Sequence, residues 1–337
     1  MRFEFYHPGL DDTPKLSVDG TVSNSVHFSH WEGNETPAEL KADTSTEIAL
    51  NLVGAPNRNE LTRGIELVTN NHFDTDGILS VWTVLTGERA LELRDKLIPA
   101  AEAGDFSEFT NEDAVRASIV IQGSDQPNPN EDLGSPLACQ LAGMNADDAR
   151  AYDLVLPEVE RVLTHTDAYE SLWRSAWDKI ALALESFARG SSTVQSFGHV
   201  SLVTLAPEVF SSSGFNPTRH SAPYTAISHY ARGQMFVIAT PFSGGWTYRI
   251  DYPYYSWAET VVRPKVKRRD LTNALAALNE RERNAEGTWK LDNNEMTSAV
   301  KFLGADNKLA ASTLAPDAVA TTVAAEAFAG EASMAVG

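Results

Sequence analysis

The stretch "IELVTNNHFDTDGILSVWTVL", residues 65–85, restricts the fold more than any other part of the chain. An apolar run stops at two asparagines, three groups able to ligate a metal follow at alternate positions, and a second apolar run begins behind Gly77. A strand, a short loop and a helix satisfy that order, and such units build mostly parallel sheets whose ligands gather beyond the carboxyl ends of the strands. Side chains alternate with a period of two in extended backbone, so the spacing puts His72, Asp74 and Asp76 on one side of the segment. Two local readings compete with a metal site. An EF-hand loop would take Asp74, Asp76 and Gly77 at its third, fifth and sixth positions, but its twelfth, a bidentate Glu, is Thr83 here, and the preceding segment is strand-like. A capped strand-to-helix turn, with Asp76 as N-cap and Gly77 easing the turn, needs no ligand at all. Clustered carboxylates repel one another unless a cation holds them, which favours the metal reading.

The surroundings repeat the same unit. "KLSVDG" and "SVHFSH" are short strands that end in polar or turn residues, and "TPAELKADTSTEIALNLVG" reads as a helix stopped by Gly54. Further helices cover "GERALELRDKLIPAAEAG" and "EDAVRASIVIQG", and "SDQPNPNEDLGSP" is a loop and candidate boundary. The expected organisation is an α/β domain over 1–136, a helical connector over 137–190, an α+β domain over 191–305, and a frayed or disordered tail over 306–337. The fold class expected is α/β: a doubly wound, mostly parallel sheet joined by the connector to a second, smaller α+β domain.

Charge and composition exclude several functions. A formal charge of −19 opposes long nucleic acid unless a basic patch is set apart from it. With Cys139 as the single cysteine, neither an internal disulfide nor a thiolate zinc site can form, which suits a reducing compartment. No apolar run is long enough for a membrane span, the beginning lacks a secretory pattern, and a cytoplasmic location is expected. P-loop, G-x-G-x-x-G, G-x-S-x-G and H-E-x-x-H motifs are absent.

"NNHFDTDGILSVWTVL" resembles the first motif of the DHH phosphoesterase superfamily, in which a strand ends in H/D-x-D-x-D-G and a Ser opens the next helix. "SHWEGNETPAELKADTSTEIA" resembles the superfamily's Asp-His-His segment, "LSVDG" its strand-end bridging Asp, and "AAEAGDF" its late Asp. The order found, bridging Asp, His segment, first motif, late Asp, corresponds to a circular permutation. The resemblance implies two Mn²⁺ ions, or Mg²⁺ in their place, held by Asp19, His30, His72, Asp74, Asp76 and Asp105. His30 and Asp76 are the implied catalytic pair, with Gly77 and Ser80 shaping the loop and helix start. Ser29-His30-Trp31 stands where the superfamily has Asp-His-His, and His27 is a candidate replacement for a lost histidine. Segments "GWTYRIDYPYYSW", "RRDLTNALAALNERE" and "EGTWKLD" resemble the substrate-binding domain that follows in that superfamily, without its glycine run.

Candidate substrate contacts are His27, Ser29, Arg249, His220 and Arg263, with Arg219, His229 and Arg232 near the leaving group. The segment "RPKVKRR" reads equally as a solvated basic edge. Hydrolysis of a small phosphorylated substrate is the expected activity. A non-catalytic binding protein is the alternative, favoured by the lost Asp-His-His. Long nucleic acid and membrane are not expected partners, and the oligomeric state stays open, a homodimer included. Nearly the whole chain also resembles an uncharacterised bacterial family that brings no activity with it.

Overall fold

The computed structural model describes residues 1–123, 135–143, 146–211, 223–292 and 297–330. The chain divides into two compact units, the first comprising Met1–Asp125, Glu131–Asp178 and Trp257–Lys265, the second Gln126–Asn130, Lys179–Ser256 and Val266–Gly337.

The first unit holds a four-stranded, wholly parallel sheet. Its strands are β1 (Arg2–Phe3), β2 (Lys15–Val18), β3 (Ser25–Phe28) and β4 (Leu67–Thr69), in the order β1-β4-β2-β3. Neighbouring parallel strands usually need a crossover of a dozen or more residues. Here β2 and β3 pair in register, Lys15 opposite Ser25 and Val18 opposite Phe28, across a connection without a helix. The chain manages this by reversing at once after β2. Asp19 adopts φ 61°, in the left-handed region, and its N–H donates to Phe28 O at 3.1 Å. Lys15, buried, closes the other end by donating to the carbonyls of Leu10, Thr13 and Asn24 at 2.8, 3.1 and 3.2 Å.

Helices α1 (Ser45–Gly54), α2 (Arg58–Leu61), α3 (Thr75–Thr86), α4 (Arg94–Phe106) and α5 (Glu112–Gln122) follow in this unit. The Thr44 side chain accepts from Glu47 N at 3.2 Å, so α1 starts at its cap and the long helix expected from residue 36 shortens to ten residues. Apolar Ile48, Leu52, Ile78, Val81, Leu97, Val115 and Ile119 are buried on these helices. Helices α6 (Pro136–Ala142), α7 (Asp148–Val155) and α8 (Val159–Thr164) belong to the same unit, as does α9 (Glu170–Ala188) as far as Asp178. The expected connector over 137–190 is therefore divided between the units. Its apolar side chains, Tyr152, Val159 and Trp173 among them, are core rather than linker.

The second unit is built on a six-stranded mixed sheet. Strands β5 (Thr193–Phe197), β6 (Val200–Thr204), β7 (Met235–Phe242), β8 (Gly245–Asp251), β9 (Gly287–Leu291) and β10 (Ser298–Gly304) lie in the order β5-β6-β7-β8-β10-β9, with β6 and β7 the parallel pair. Short helices α10 (Glu208–Ser211) and α11 (Tyr224–Tyr230) precede β7, and α12 (Thr272–Arg281) and α13 (Pro316–Ala327) come later. One core cluster joins Leu202, Val237, Tyr248, Ile250 and Phe302 to Leu278, Val319 and Val323; another joins Val203, Phe236 and Ile238 to Phe187 and Ile227. The period of two along β6 and β7 thus sends alternate side chains to opposite faces, both covered.

The tail corrects the sequence expectation. Residues 316–327 form helix α13, and Val319, Ala320, Val323 and Ala327 are buried in the core of the second unit. Small side chains contribute little area each, which made the segment look unable to fold. Against a formed sheet they allow close approach instead. Val319→Asp should destabilise the second unit by about 3 kcal/mol or more, because an unpaired carboxylate would be buried. Urea unfolding measures this, and an unchanged midpoint would return the tail to a frayed segment.

Candidate metal centre

Six side chains meet beyond the carboxyl ends of β2, β3 and β4. Ligand atoms of Asp19, His30, Asp76 and Asp105 lie within 4.8 Å of one another, and those of Asp19, His72 and Asp74 do the same. Asp19 belongs to both groups, and its two oxygens divide between them. Oδ1 is 3.5 Å from His30 Nε2, while Oδ2 is 3.0 Å from His72 Nε2. His30 Nε2 also lies 3.1 Å from Asp105 and 3.8 Å from Asp76, and His72 Nε2 is 3.2 Å from Asp74.

The local structure explains each placement. Asp19 is held by its reversed backbone and by Ser45 Oγ, which donates to Oδ1 at 2.9 Å. Strand β4 ends at Thr69, so His72 and Asp74 are loop residues and Asp76 is in the first turn of α3. Convergence arises from the turn rather than from the alternation of a strand. Asp74, not Asp76, caps α3, accepting from Gly77 N at 2.7 Å. Asp76 instead caps a different helix: its carboxylate accepts from Ser45 N at 2.6 Å and Thr46 N at 2.7 Å, at the start of α1. Helix N-termini favour negative charge, so α1 steadies a buried carboxylate. Gly77 is required by close approach, since a Cβ there would lie 2.5 Å from Asn70 Nδ2 and 2.8 Å from the Tyr152 hydroxyl. Asp105 comes from the last turn of α4, the helix expected over this segment.

Both histidines present Nε2 to the carboxylates. His30 Nδ1 lies 2.7 Å from Asp43 O, and since a carbonyl only accepts, the proton sits on Nδ1. His72 Nδ1 is 2.9 Å from Asn71 Oδ1 and is fixed in the same sense. Nε2 of each ring and Oδ2 of Asp19 are buried without an aligned hydrogen-bond partner. Buried orphans of this kind, facing one another, fit a cation.

The electrostatics agree. Burial, then the charge of Asp19, pushes the Asp76 carboxyl up to about 7. Burial and the charge of Asp76 raise Asp105 well above the usual carboxylate range. For His30, burial alone would lower the value, but Asp105 and the other carboxylates outweigh it and raise it to about 10. His72 rises against its burial to about 12, through Asp74 and Asp19. Asp19, despite burial, is brought to about 2 by His72 and His30. Ion-free, the cluster retains protons that cations would displace. Two divalent cations would match the charge of the four carboxylates, Asp19, Asp74, Asp76 and Asp105.

The two groups differ in access. Side chains of Asp19, His30, Asp76 and Asp105 are at most 4% exposed, whereas His72 and Asp74 are 29% and 19% exposed. The open side of the centre is therefore at His72 and Asp74. Trp31 lies against the His72 ring at 5.5 Å, and its indole Nε1 is buried without a hydrogen-bond partner.

Of the expected substrate contacts, Ser29 spends its hydroxyl on Asp19 O at 2.9 Å and on accepting Trp31 N at 3.1 Å, so it braces the loop instead. His27 stands outside both groups, with Nε2 3.4 Å from Val22 O, and does not replace a lost ligand. Arg263 is not a bare anion contact, because its guanidinium pairs with Asp43, Glu102 and Glu108 at 2.7, 2.8 and 2.5 Å. Arg249 belongs to the second unit, where it lies 3.3 Å from Asp251. His229 and Arg232 also belong to the second unit, and His220 and Arg219 lie outside the described residues. Asp43, Trp257 and Tyr152 were missed. Asp43 carries a signal only in hindsight, one residue before the Thr44-x-x-Glu47 cap.

The signs of these shifts give a test. Asp76, raised from 3.8 to about 7, and His30, raised from 6.5 to about 10, both bind protons more tightly in the folded chain. Their contributions are present below the unfolded values and are lost as pH rises through the folded ones. Chelator-treated protein should therefore lose thermal stability from about pH 4 to pH 7 and further towards pH 10, and a divalent cation that binds the cluster should reverse the loss. A flat or rising profile in chelator would contradict the geometry.

Among solved structures, a pGpG-specific phosphodiesterase, PggH, from Vibrio cholerae aligns with a TM-score of 0.30 and 12% identity, covering 91% of this chain and 84% of its own. At that TM-score the likeness carries neither fold nor activity across. No curated protein matches the chain. No helix among the described residues is long and apolar enough to cross a membrane. A family profile matches residues 2–333, and with that match the chain belongs to a family of unknown function, DUF6687.

Proposed function

We propose that this chain is a metal-dependent hydrolase that cleaves a phosphoester or phosphoanhydride in a small anionic substrate. The observation that carries the reading is Asp19, whose two oxygens face two separate sets of ligands, each with its own histidine. A carboxylate placed in this way would serve both ligand sets of a cation pair. Asp19, His30, Asp76 and Asp105 would hold one ion, and Asp19, His72 and Asp74 the other. Oxygen and imidazole donors without thiolate suit Mn²⁺, or Mg²⁺ in its place.

Such a pair lowers the pKa of a bound water and neutralises charge on the phosphoryl oxygens. The chain's own residues set the rest. His72 and Asp74 lie at the open side, so the substrate approaches there. His30 and Asp76 work from the buried side, where Phe106 and Trp257 pack against the imidazole at 5.8 and 4.9 Å and exclude water. Asp43 O keeps the His30 proton on Nδ1, which leaves Nε2 to ligate. The order Asp19, His30, Asp74 and Asp76, then Asp105 supports a permuted relative of the DHH phosphoesterases. A cytoplasmic protein without long nucleic acid or membrane partners fits this reading, as does a substrate the size of a short nucleotide or a phosphorylated metabolite.

A second reading, a non-catalytic metal- or ligand-binding protein on the same fold, is favoured by Ser29, whose hydroxyl is committed to the backbone. Elemental analysis and hydrolysis of a generic phosphodiester separate the two. Hydrolysis requires about two equivalents of manganese in the wild type, with turnover falling at least about 100-fold in Asp19→Ala and Asp76→Ala as metal is lost. Two equivalents without turnover would leave the binding protein, and no metal, even after manganese is supplied, would overturn hydrolysis and leave the binding protein as well.

A further inference from the structure

Segment Trp257–Lys265 belongs to the first unit although it lies more than 200 positions beyond His30 in the sequence. It is pinned there at both ends. Glu259 N donates to His30 O at 2.7 Å. The Glu259 carboxylate accepts from Gly33 N at 3.4 Å, Asn34 Nδ2 at 2.9 Å and Lys41 Nζ at 2.9 Å. At the other end the Asp43 carboxylate accepts from three consecutive backbone N–H groups: Val261, Val262 at 2.8 Å and Arg263 at 3.1 Å. Arg263 adds its guanidinium at 2.7 Å and spreads over the Phe106 ring at 4.7 Å. Three converging N–H groups form an anion-binding nest, and here the anion is a side chain of the same protein.

The same Asp43 supplies the carbonyl that fixes His30, and Trp257 stands edge-on to the imidazole at 4.9 Å. The segment therefore reaches the buried ligand set by three routes: the His30 carbonyl, the His30 ring and the residue that orients the ring. We propose that Asp43 is the positioning residue of His30, that Trp257–Arg263 is a strap holding Asp43 in place, and that this strap is the barrier to exchange of the buried cation. The proposal rests on the two-cation reading. The ion at Asp19, His30, Asp76 and Asp105 leaves only when the strap lifts. The ion at Asp19, His72 and Asp74 faces solvent and exchanges without it.

The test is a chelator challenge of the full chain loaded with manganese, following release of the ion with time. Two phases of equal amplitude are expected. Asp43→Asn and the milder Glu259→Gln should each speed the slow phase at least tenfold and leave the fast phase unchanged. A general loosening of the fold would instead speed both. Manganese content is measured first: a wild type that binds none overturns the two-cation reading and this one with it. Two bound ions whose slow phase is indifferent to both substitutions, or speeds together with the fast one, overturn the strap alone. Should Asp43→Asn not fold, Glu259→Gln decides, since the Glu259 side chain is 34% exposed.

Discussion

Four carboxylates drawn into one partly sealed space form the constraint on which the first unit depends. Three of them, Asp19, Asp76 and Asp105, are buried, and their mutual repulsion acts in a medium that screens it poorly. The fold answers with fixed positive ends. The start of α1 donates two backbone N–H groups to Asp76, and Ser45 donates its hydroxyl to Asp19. Two imidazoles turn Nε2 inward, fixed by Asp43 O and Asn71 Oδ1. These contacts orient the carboxylates without cancelling their charge, and the balance falls to protons or to cations.

The path of the chain follows from that requirement. Asp19 takes a left-handed backbone that costs about 1 kcal/mol for a non-glycine residue. The reversal serves twice, since it lets β3 lie parallel beside β2 and turns the Asp19 carboxylate between the two histidines. The Thr44 cap starts α1 where its first N–H groups meet Asp76. Helix α4 delivers Asp105 by its last turn, against a ring of aromatic side chains around His30.

Much of the centre was legible in the sequence, and the reason is local. His72, Asp74 and Asp76 lie within five residues, and Asp19 and His30 follow short strands that the apolar pattern marks. Asp105 came from resemblance alone, because nothing about a carboxylate late in a helix distinguishes it from a solvated one. Arg263 was open to misreading because charge and residue type are visible in a sequence, but the three carboxylates that pair with it are not. The strap was illegible because its partners are separated by more than 200 positions. Helix α13 was hidden by its alanines, whose burial depends on a sheet that the tail itself does not encode.

The central claim is that Asp19 stands between two cations. Anomalous diffraction at the manganese edge, from crystals grown with Mn²⁺, tests it without reference to substrate or turnover. The account predicts two peaks roughly 3.5–4 Å apart, one beside each oxygen of Asp19, the buried one against His30 and the open one against His72. A single peak, or none with Asp19 hydrogen-bonded only to the protein, would contradict it.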